Sequence, residues 1–432
     1  MKCIFTGRWL SLGIYLLCLN GLQASETAKP LSLEVALSSV EASHPDLQIS
    51  LADRDMAIAD RDIALSRKDS SLNLEGILRN GSPTTDGHEF LPDNSARLVA
   101  RKTLYDFGRS HSAEEAATSE LSAREAELIT TREHRKIEVM SRFFDVLLAD
   151  MQYTADNELM AVIFVSFDHG KENFAAGKIS SVELAELESR FQDTFLKRTA
   201  SLQRQRISRA LLANTLNRSG DLPGELIDPK LESNNRTLPE YDALIPVLLS
   251  NNPRLKAQQD LILASQQRLD SVRAEKGPTL DAEVQAADFS RKAITRDNLS
   301  AGLILSWPLY QGNRSDARVA RELAQLNKNR ASLEKLKMDL TQSLLETYLN
   351  IVQLQSVGRS SALKQVTHRD LVLERSRGLY ELELKSNLGT SMADTVQANL
   401  RVRRNEYLLA LDFARLEAML GGKLEGKQIY TK

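Results

Sequence analysis

Side chains able to do chemistry are thinly spread over this sequence of 432 residues. The six histidines, His44, His88, His111, His134, His169 and His368, show no spacing that would bring two ligands onto one metal ion. His169, beside Asp168 and Glu172, reads as a solvated helix end rather than a ligand cluster. There is no lysine-bearing phosphate loop, no dinucleotide fingerprint after a strand and no G-x-S-x-G elbow. No catalytic residue, cofactor or metal is expected. The polar residues that stand out are acids placed just after glycine-bearing turns. Glu183 and Glu186 follow Gly177-Lys178-Ile179-Ser180, and Asp394 follows Lys385-Ser386-Asn387-Leu388-Gly389. An acid in the first turn of a helix faces the positive end of its dipole, which is one plain use for all three.

The elements that position these turns occur twice. Pro45 matches Pro253, Leu104-Tyr105 matches Leu309-Tyr310 and Phe174 matches Tyr380, each about two hundred residues on and in the same order. Each copy runs as helix, alternating segment, sharp turn, very long helix, glycine-marked tip and returning helix. A duplicated unit of this kind suits a pseudo-symmetric wall better than a catalytic pocket. The composition agrees: aromatics are only 5% and prolines number 11, as long helices in coiled-coil contact require. The net charge of −2, with basic and acidic residues alternating along the helices, gives nucleic acid no field to follow.

Lys2 and Arg8, then the short apolar run Leu10 to Leu19, read as a secretory leader ending near Ala24. Cys3 and Cys18 are the only cysteines and both fall inside it, so disulfide chemistry is not expected. Leu17 is bulky where a lipid-attachment site needs a small residue before Cys18. The organisation expected is a leader at 1–24, a first repeat at 25–220, a linker at 221–239, a second repeat at 240–421 and a tail at 422–432. The linker carries Pro223, Gly224, Pro229 and Pro239.

Four segments alternate with the period of strands: Asp69 to Gly81, Ser95 to Tyr105, Thr279 to Phe289 and Leu299 to Leu309. In the last, Leu299, Ala301, Leu303, Leu305, Trp307 and Leu309 share one face. Strands of roughly ten residues cross a bilayer when tilted. Two soluble hairpins would show the same pattern. In lipid, four strands cannot close a barrel, and open edges there cost several kcal/mol per unpaired group, so strands would have to come from other copies of the chain. Ser110 to about Gly170 and Asp316 to about Arg375 lack proline and predict helices on the order of 90 Å long. Leu326, Leu333 and Leu340 with Leu336, and Leu184, Leu187, Phe191 and Phe195 on a returning helix, mark coiled-coil seams.

Taken together, these residues resemble the TolC family of bacterial outer-membrane efflux and secretion channels. The resemblance rests on Leu33, Ala36 and Leu37 before His44-Pro45, and on Asn252-Pro253 in the second copy. It rests also on the passages Leu104 to Arg109 and Trp307 to Arg314, and on the tips Ala176 to Ser180 and Tyr380 to Ser391. It implies a mainly α fold with a β-barrel portion, in which duplicated helical hairpins build a tunnel and a homotrimer closes a 12-stranded barrel from four strands per chain. The partners implied are outer-membrane lipid, a periplasmic adaptor and an inner-membrane pump or ABC transporter. The location implied is the outer membrane, with the helices in the periplasm.

By the same resemblance Glu183, Glu186 and Asp394 would constrict the periplasmic mouth, each repeated three times as a ring that favours cations. Gln397 stands where the family often has another acid. Gly177, Lys178, Ile179, Ser180, Lys385, Ser386, Leu388 and Gly389 would dock the adaptor, with Ile179 and Leu388 exposed. The rival reading is a soluble periplasmic coiled-coil scaffold or adaptor. An adaptor would carry one hairpin flanked by β-rich domains, not two hairpins with amphipathic strands inside each copy.

Overall fold

The computed structural model of the chain describes residues 30–38, 44–82, 90–291, 296–382, 384 and 387–423. The expected leader, Cys3, Cys18, His88, Lys385, Ser386 and most of the 422–432 tail lie outside the described residues. The first half runs α1 (Leu33–Ser38), α2 (Pro45–Ser66), β1 (Ser71–Ile77), β2 (Asn80–Gly81), β3 (Leu91–Pro92), β4 (Ser95–Tyr105), α3 (Arg109–Ala175) and α4 (Ser181–Thr215). The second runs α5 (Tyr241–Asn251), α6 (Pro253–Ala274), β5 (Thr279–Phe289), β6 (Leu299–Ser306), α7 (Arg314–Gln353), α8 (Arg359–Glu381) and α9 (Leu388–Leu420).

The two copies begin alike for one reason. Pro45 and Pro253 each open a helix at the position where a missing N–H costs nothing. The residue before each caps the free donors: His44 Nδ1 accepts from the Asp46 N–H, and Asn252 Oδ1 accepts from Arg254 and Leu255. The passages from strand to long helix also match, because Gly108 and Gly312 take left-handed φ of 85° and 62° that a side chain would resist.

β1, β4, β5 and β6 form one antiparallel sheet in that order, so β4 and β5 join the two copies at its centre. Two strands are shorter than expected. β6 stops at Ser306, since Pro308 has no N–H to extend the ladder, and β1 stops at Ile77 before pairing resumes in the β2–β3 ribbon.

The helices form a wall. α3, 67 residues long, packs against α2 and α4 on one side and against α6 and α9 on the other, with α7 and α8 beyond these. The expected seams hold: Leu326 and Leu340 are buried, and Leu333 and Leu336 pack against the cluster that contains Leu340. On α4, Phe191 stacks on Phe167 at 5.6 Å, whereas Phe195 is half exposed. The second long helix is not continuous. A π turn at Leu354–Gly358 separates α7 from α8, inserting a wider turn where the linker crosses.

That linker is a strap across one face of the wall. Leu31 pairs with Leu226, and Leu226 packs with Phe143, Phe144, Leu212 and Tyr407. Tyr407 stacks on Phe144 at 4.5 Å and donates its hydroxyl to Asp228 at 2.8 Å; burial and that bond push the phenol well above its usual range. Fully buried Asn234 donates to Glu406, which also takes two bonds from Arg359 at 2.7 Å each. Gln355 in the π turn donates to the Asn234 and Arg236 carbonyls, so strap, π turn and α9 form one hydrogen-bonded unit.

Phe144 is 1% exposed at the centre of this cluster. Phe144→Ala should cost about 3–5 kcal/mol, read as a lower denaturation midpoint and faster proteolysis of the strap. Val165→Ala, at an exposed site on α3, should leave both unchanged.

Candidate functional site

The first tip is set by local chemistry. α3 ends at Ala175, and Gly177, with φ 70°, turns the chain so that its N–H bonds to Phe174 and that of Lys178 to Asn173. Ser180 then opens α4 with a capping box: its Oγ accepts from the Glu183 N–H at 3.2 Å, and the Glu183 carboxylate accepts from the Ser180 N–H at 2.7 Å. These bonds, the backbone one first, hold the Glu183 carboxyl below the usual glutamate range. Glu186 pairs with Arg190 at 2.5 Å. Asp394 pairs across the second hairpin with Arg369 of α8 at 2.7 Å. All three acids therefore have donors within the chain, and Gln397 lies one helical turn beyond Asp394 in the same groove.

At the second tip, α9 starts hard against α3. A β-carbon on Gly389 would lie 2.4 Å from Val162 Cγ2, so this glycine allows the approach. Ser376 and Ser391 share a buried hydrogen bond at 2.9 Å. Ile179 and Leu388 are half-buried rather than exposed, which corrects the expectation. Among the described residues, exposed apolar side chains at the tips include Val182, Tyr380, Leu382 and Leu384. The Ser180-x-x-Glu183 and Glu186–Arg190 spacings were readable in sequence, but the Arg369–Asp394 pair joins two helices and was not.

The sheet has two unlike faces. Register puts Leu72 and Leu74, Leu98 and Ala100, Leu280, Ala282, Val284 and Ala286, and Leu299, Ala301, Leu303 and Leu305 on one side. The other side carries a row of paired charges: Arg97 with Glu75 at 3.2 Å, Arg101 with Glu283 at 2.5 Å, and Thr103 donating to Asp281 at 2.7 Å. Lys102 and Asp288 interrupt the apolar side only near its two ends. At the far end from the helices, buried Asp93 accepts from Arg296 and Arg79, which hold its carboxyl down at about 2.

The wall also has unpartnered edges. On α2, Ile49, Met56 and Ile63, seven residues apart, are 62%, 59% and 60% exposed. On α7 at the opposite edge, Met338, Leu345 and Val352 repeat with the same spacing and are exposed too. These are half-seams of a coiled coil, each lacking its mate among the described residues.

With this geometry in hand, known proteins give a consistent picture. Residues 244–369 match the family model described as outer membrane efflux protein. A search of curated proteins found no match. The fold is similar to that of the outer membrane protein VceC from Vibrio cholerae, with a TM-score of 0.71 at 16% identity, covering 91% of this chain and 97% of that one. It is similar to the Campylobacter jejuni CmeC outer membrane channel, with a TM-score of 0.73 at 13% identity, covering 92% and 87%. It is similar also to the open state of the Neisseria gonorrhoeae MtrE outer membrane channel, with a TM-score of 0.66 at 16% identity, covering 91% and 89%. At such identities the shared property is the fold. The expected fold class is met: the chain has the long helical hairpins and small antiparallel sheet of TolC-like outer-membrane efflux channels.

The cap at the first tip gives a test. Ser180→Ala should cost about 1 kcal/mol of local helix stability, seen as faster amide exchange over the first turn of α4. Because the Glu183 value is depressed, its contribution is full above the ordinary glutamate range and is lost as pH falls through the folded value. The protection factor of that turn, which is exchange corrected for its intrinsic dependence on pH, should therefore fall on acidification in the wild type and change little further in Glu183→Gln.

Proposed function

We propose that three copies of this chain form a passive export conduit in the outer membrane, with the helical wall extending through the periplasm. The observation that carries this reading is the sheet. Its apolar side is exposed, its other side is charged, and β1 and β6 have free edges. Such a sheet is stable in lipid only when its edges are paired, and a ring of copies pairs β6 of one with β1 of the next. The half-seams on α2 and α7 support the same head-to-tail contact lower down, since a heterologous interface that closes makes a ring.

Within this reading a periplasmic adaptor and an inner-membrane pump or ABC transporter supply cargo and energy. The adaptor docks at the tips, on Gly177, Lys178, Ile179, Ser180, Lys385, Ser386, Leu388 and Gly389, with Val182, Leu382 and Leu384 as its apolar contacts. Glu183, Glu186 and Asp394 narrow the mouth. Asp394 is held to Arg369 across the second hairpin, so a contact that competes for Arg369 frees this acid at the mouth.

Purified mature protein should run as a trimer by native mass spectrometry and give discrete steps in a planar bilayer. Met56→Lys with Met338→Asp would replace an apolar contact by a charge pair, whereas either alone buries a charge. Each single variant should shift the population to monomer and abolish steps, and the double variant should recover part of both. A trimer that never inserts would instead favour the soluble scaffold.

A further inference from the structure

The two faces of the helical wall differ in charge. On α9, Arg403, Glu406 and Tyr407 turn toward the strap, where Arg403 and Tyr407 meet Asp228. Arg401, Arg404 and Leu408 lie on the far side of the same helix and line two grooves. One groove, of about 850 Å³ between α8 and α9, holds Lys364, Arg369, Arg401 and Asp394. The other, of about 880 Å³ among α3, α4 and α9, holds Arg142, Arg204 and Arg404 with Asp145 and Asp156.

The acids here are already engaged. Arg142 takes Asp145 at 3.5 Å, Arg369 takes Asp394 at 2.7 Å, and Gln152 donates to Asp156 at 2.9 Å. Arg401 donates to the neutral Gln365 at 2.6 Å. Lys364, Arg204 and Arg404 have no carboxylate within ion-pair distance among the described residues. An ordinary solvated helix face pairs its charges three or four residues apart, as Glu186 and Arg190 do. Lys197, Arg206 and Arg377 elsewhere on the wall also lack such a partner, so what sets these four of the six groove cations apart is that they gather in two adjoining grooves on one side of the wall.

We propose that this face lines the bore of the conduit and that Lys364, Arg401, Arg204 and Arg404 form an anion-binding belt there, taking organic anions that carry two or more negative charges. The proposal rests on the conduit reading, with the strap on the outside of the ring. Threefold repetition brings the same cations round one passage, and walls of low dielectric focus their field onto an ion inside. Guanidinium groups match carboxylate and sulfonate oxygens in a two-pronged geometry that water does not reproduce. Rings of arginine and lysine are a means by which pores admit anions. The belt lies above the acidic tips on the same wall, so an anionic cargo passes the mouth only when the acids there are drawn apart and is then held by the belt.

The test uses the detergent-purified trimer and a trisulfonated pyrene dye, with fluorescence anisotropy at low and high salt. The wild type should bind the dye at low salt and release it as salt screens the belt. A variant carrying Lys364→Gln, Arg401→Gln, Arg204→Gln and Arg404→Gln should bind at least about tenfold more weakly. Arg204→Lys with Arg404→Lys keeps the charge but loses the guanidinium fork and should bind with an affinity between those two, while circular dichroism and native mass spectrometry check that each variant is a folded trimer. Absence of wild-type binding at low salt, or equal binding by the four-glutamine variant, overturns the belt. Bilayer recordings on the same samples separate the two readings: steps without dye binding sink the belt alone, and dye binding without steps sinks the conduit and the placing of these residues in its bore.

Discussion

A sheet can present an apolar face to lipid only when no backbone N–H or C=O at its edges is left unpaired. Everything else in this architecture follows from meeting that requirement. A single chain pairs β1 with β4, β4 with β5 and β5 with β6, and then runs out of strands. In the proposed ring the free edges of β1 and β6 pair between copies, and the apolar half-seams at the two margins of the wall continue that contact along the helices. The charged side of the sheet satisfies itself: Arg97, Arg101, Thr103, Glu75, Asp281 and Glu283 pair across strands, so this side can face water without carrying a large net charge.

The wall is fastened at its middle rather than at its ends. Helices as long as α3 tolerate sliding along their seams, because one heptad resembles the next. The strap removes that freedom with contacts that do not repeat. Phe144 against Tyr407, Tyr407 to Asp228, and Asn234 to Glu406 exist at one register only. Burial alone would raise the Glu406 carboxyl, yet the bonds from Arg359 and Asn234 outweigh it and hold the group below its usual value. The π turn at Leu354–Gly358 sits at this fastening point, and Gln355 within it bonds to the strap. Its position assigns the local departure from α geometry to the place where α7 gives way to α8 beneath the strap.

Charge is distributed along the wall in a way that composition hides. A net charge of −2 suggests a neutral molecule. In space, the tips hold acids tied to local partners, the grooves above them hold cations without acidic partners, and the sheet holds paired charges. A passage built this way would present alternating zones to a moving solute.

Much of this was legible in the residues. Proline-free stretches and heptad leucines predict the long helices, period-two alternation predicts the strands, and proline after a capping residue predicts where α2 and α6 begin. Ser180 with Glu183 announces its own cap. These features depend on neighbours a few residues apart, so the sequence contains all the information that decides them. Other features depend on which distant residues meet. The Arg369–Asp394 pair, the π turn beneath the strap and the clustering of Lys364, Arg401, Arg204 and Arg404 each join separate helices or a helix and a loop. Helical periodicity says which residues share a face but not which helix that face meets. Only the packing of the wall, set by shape and by the fastening at the strap, decided that.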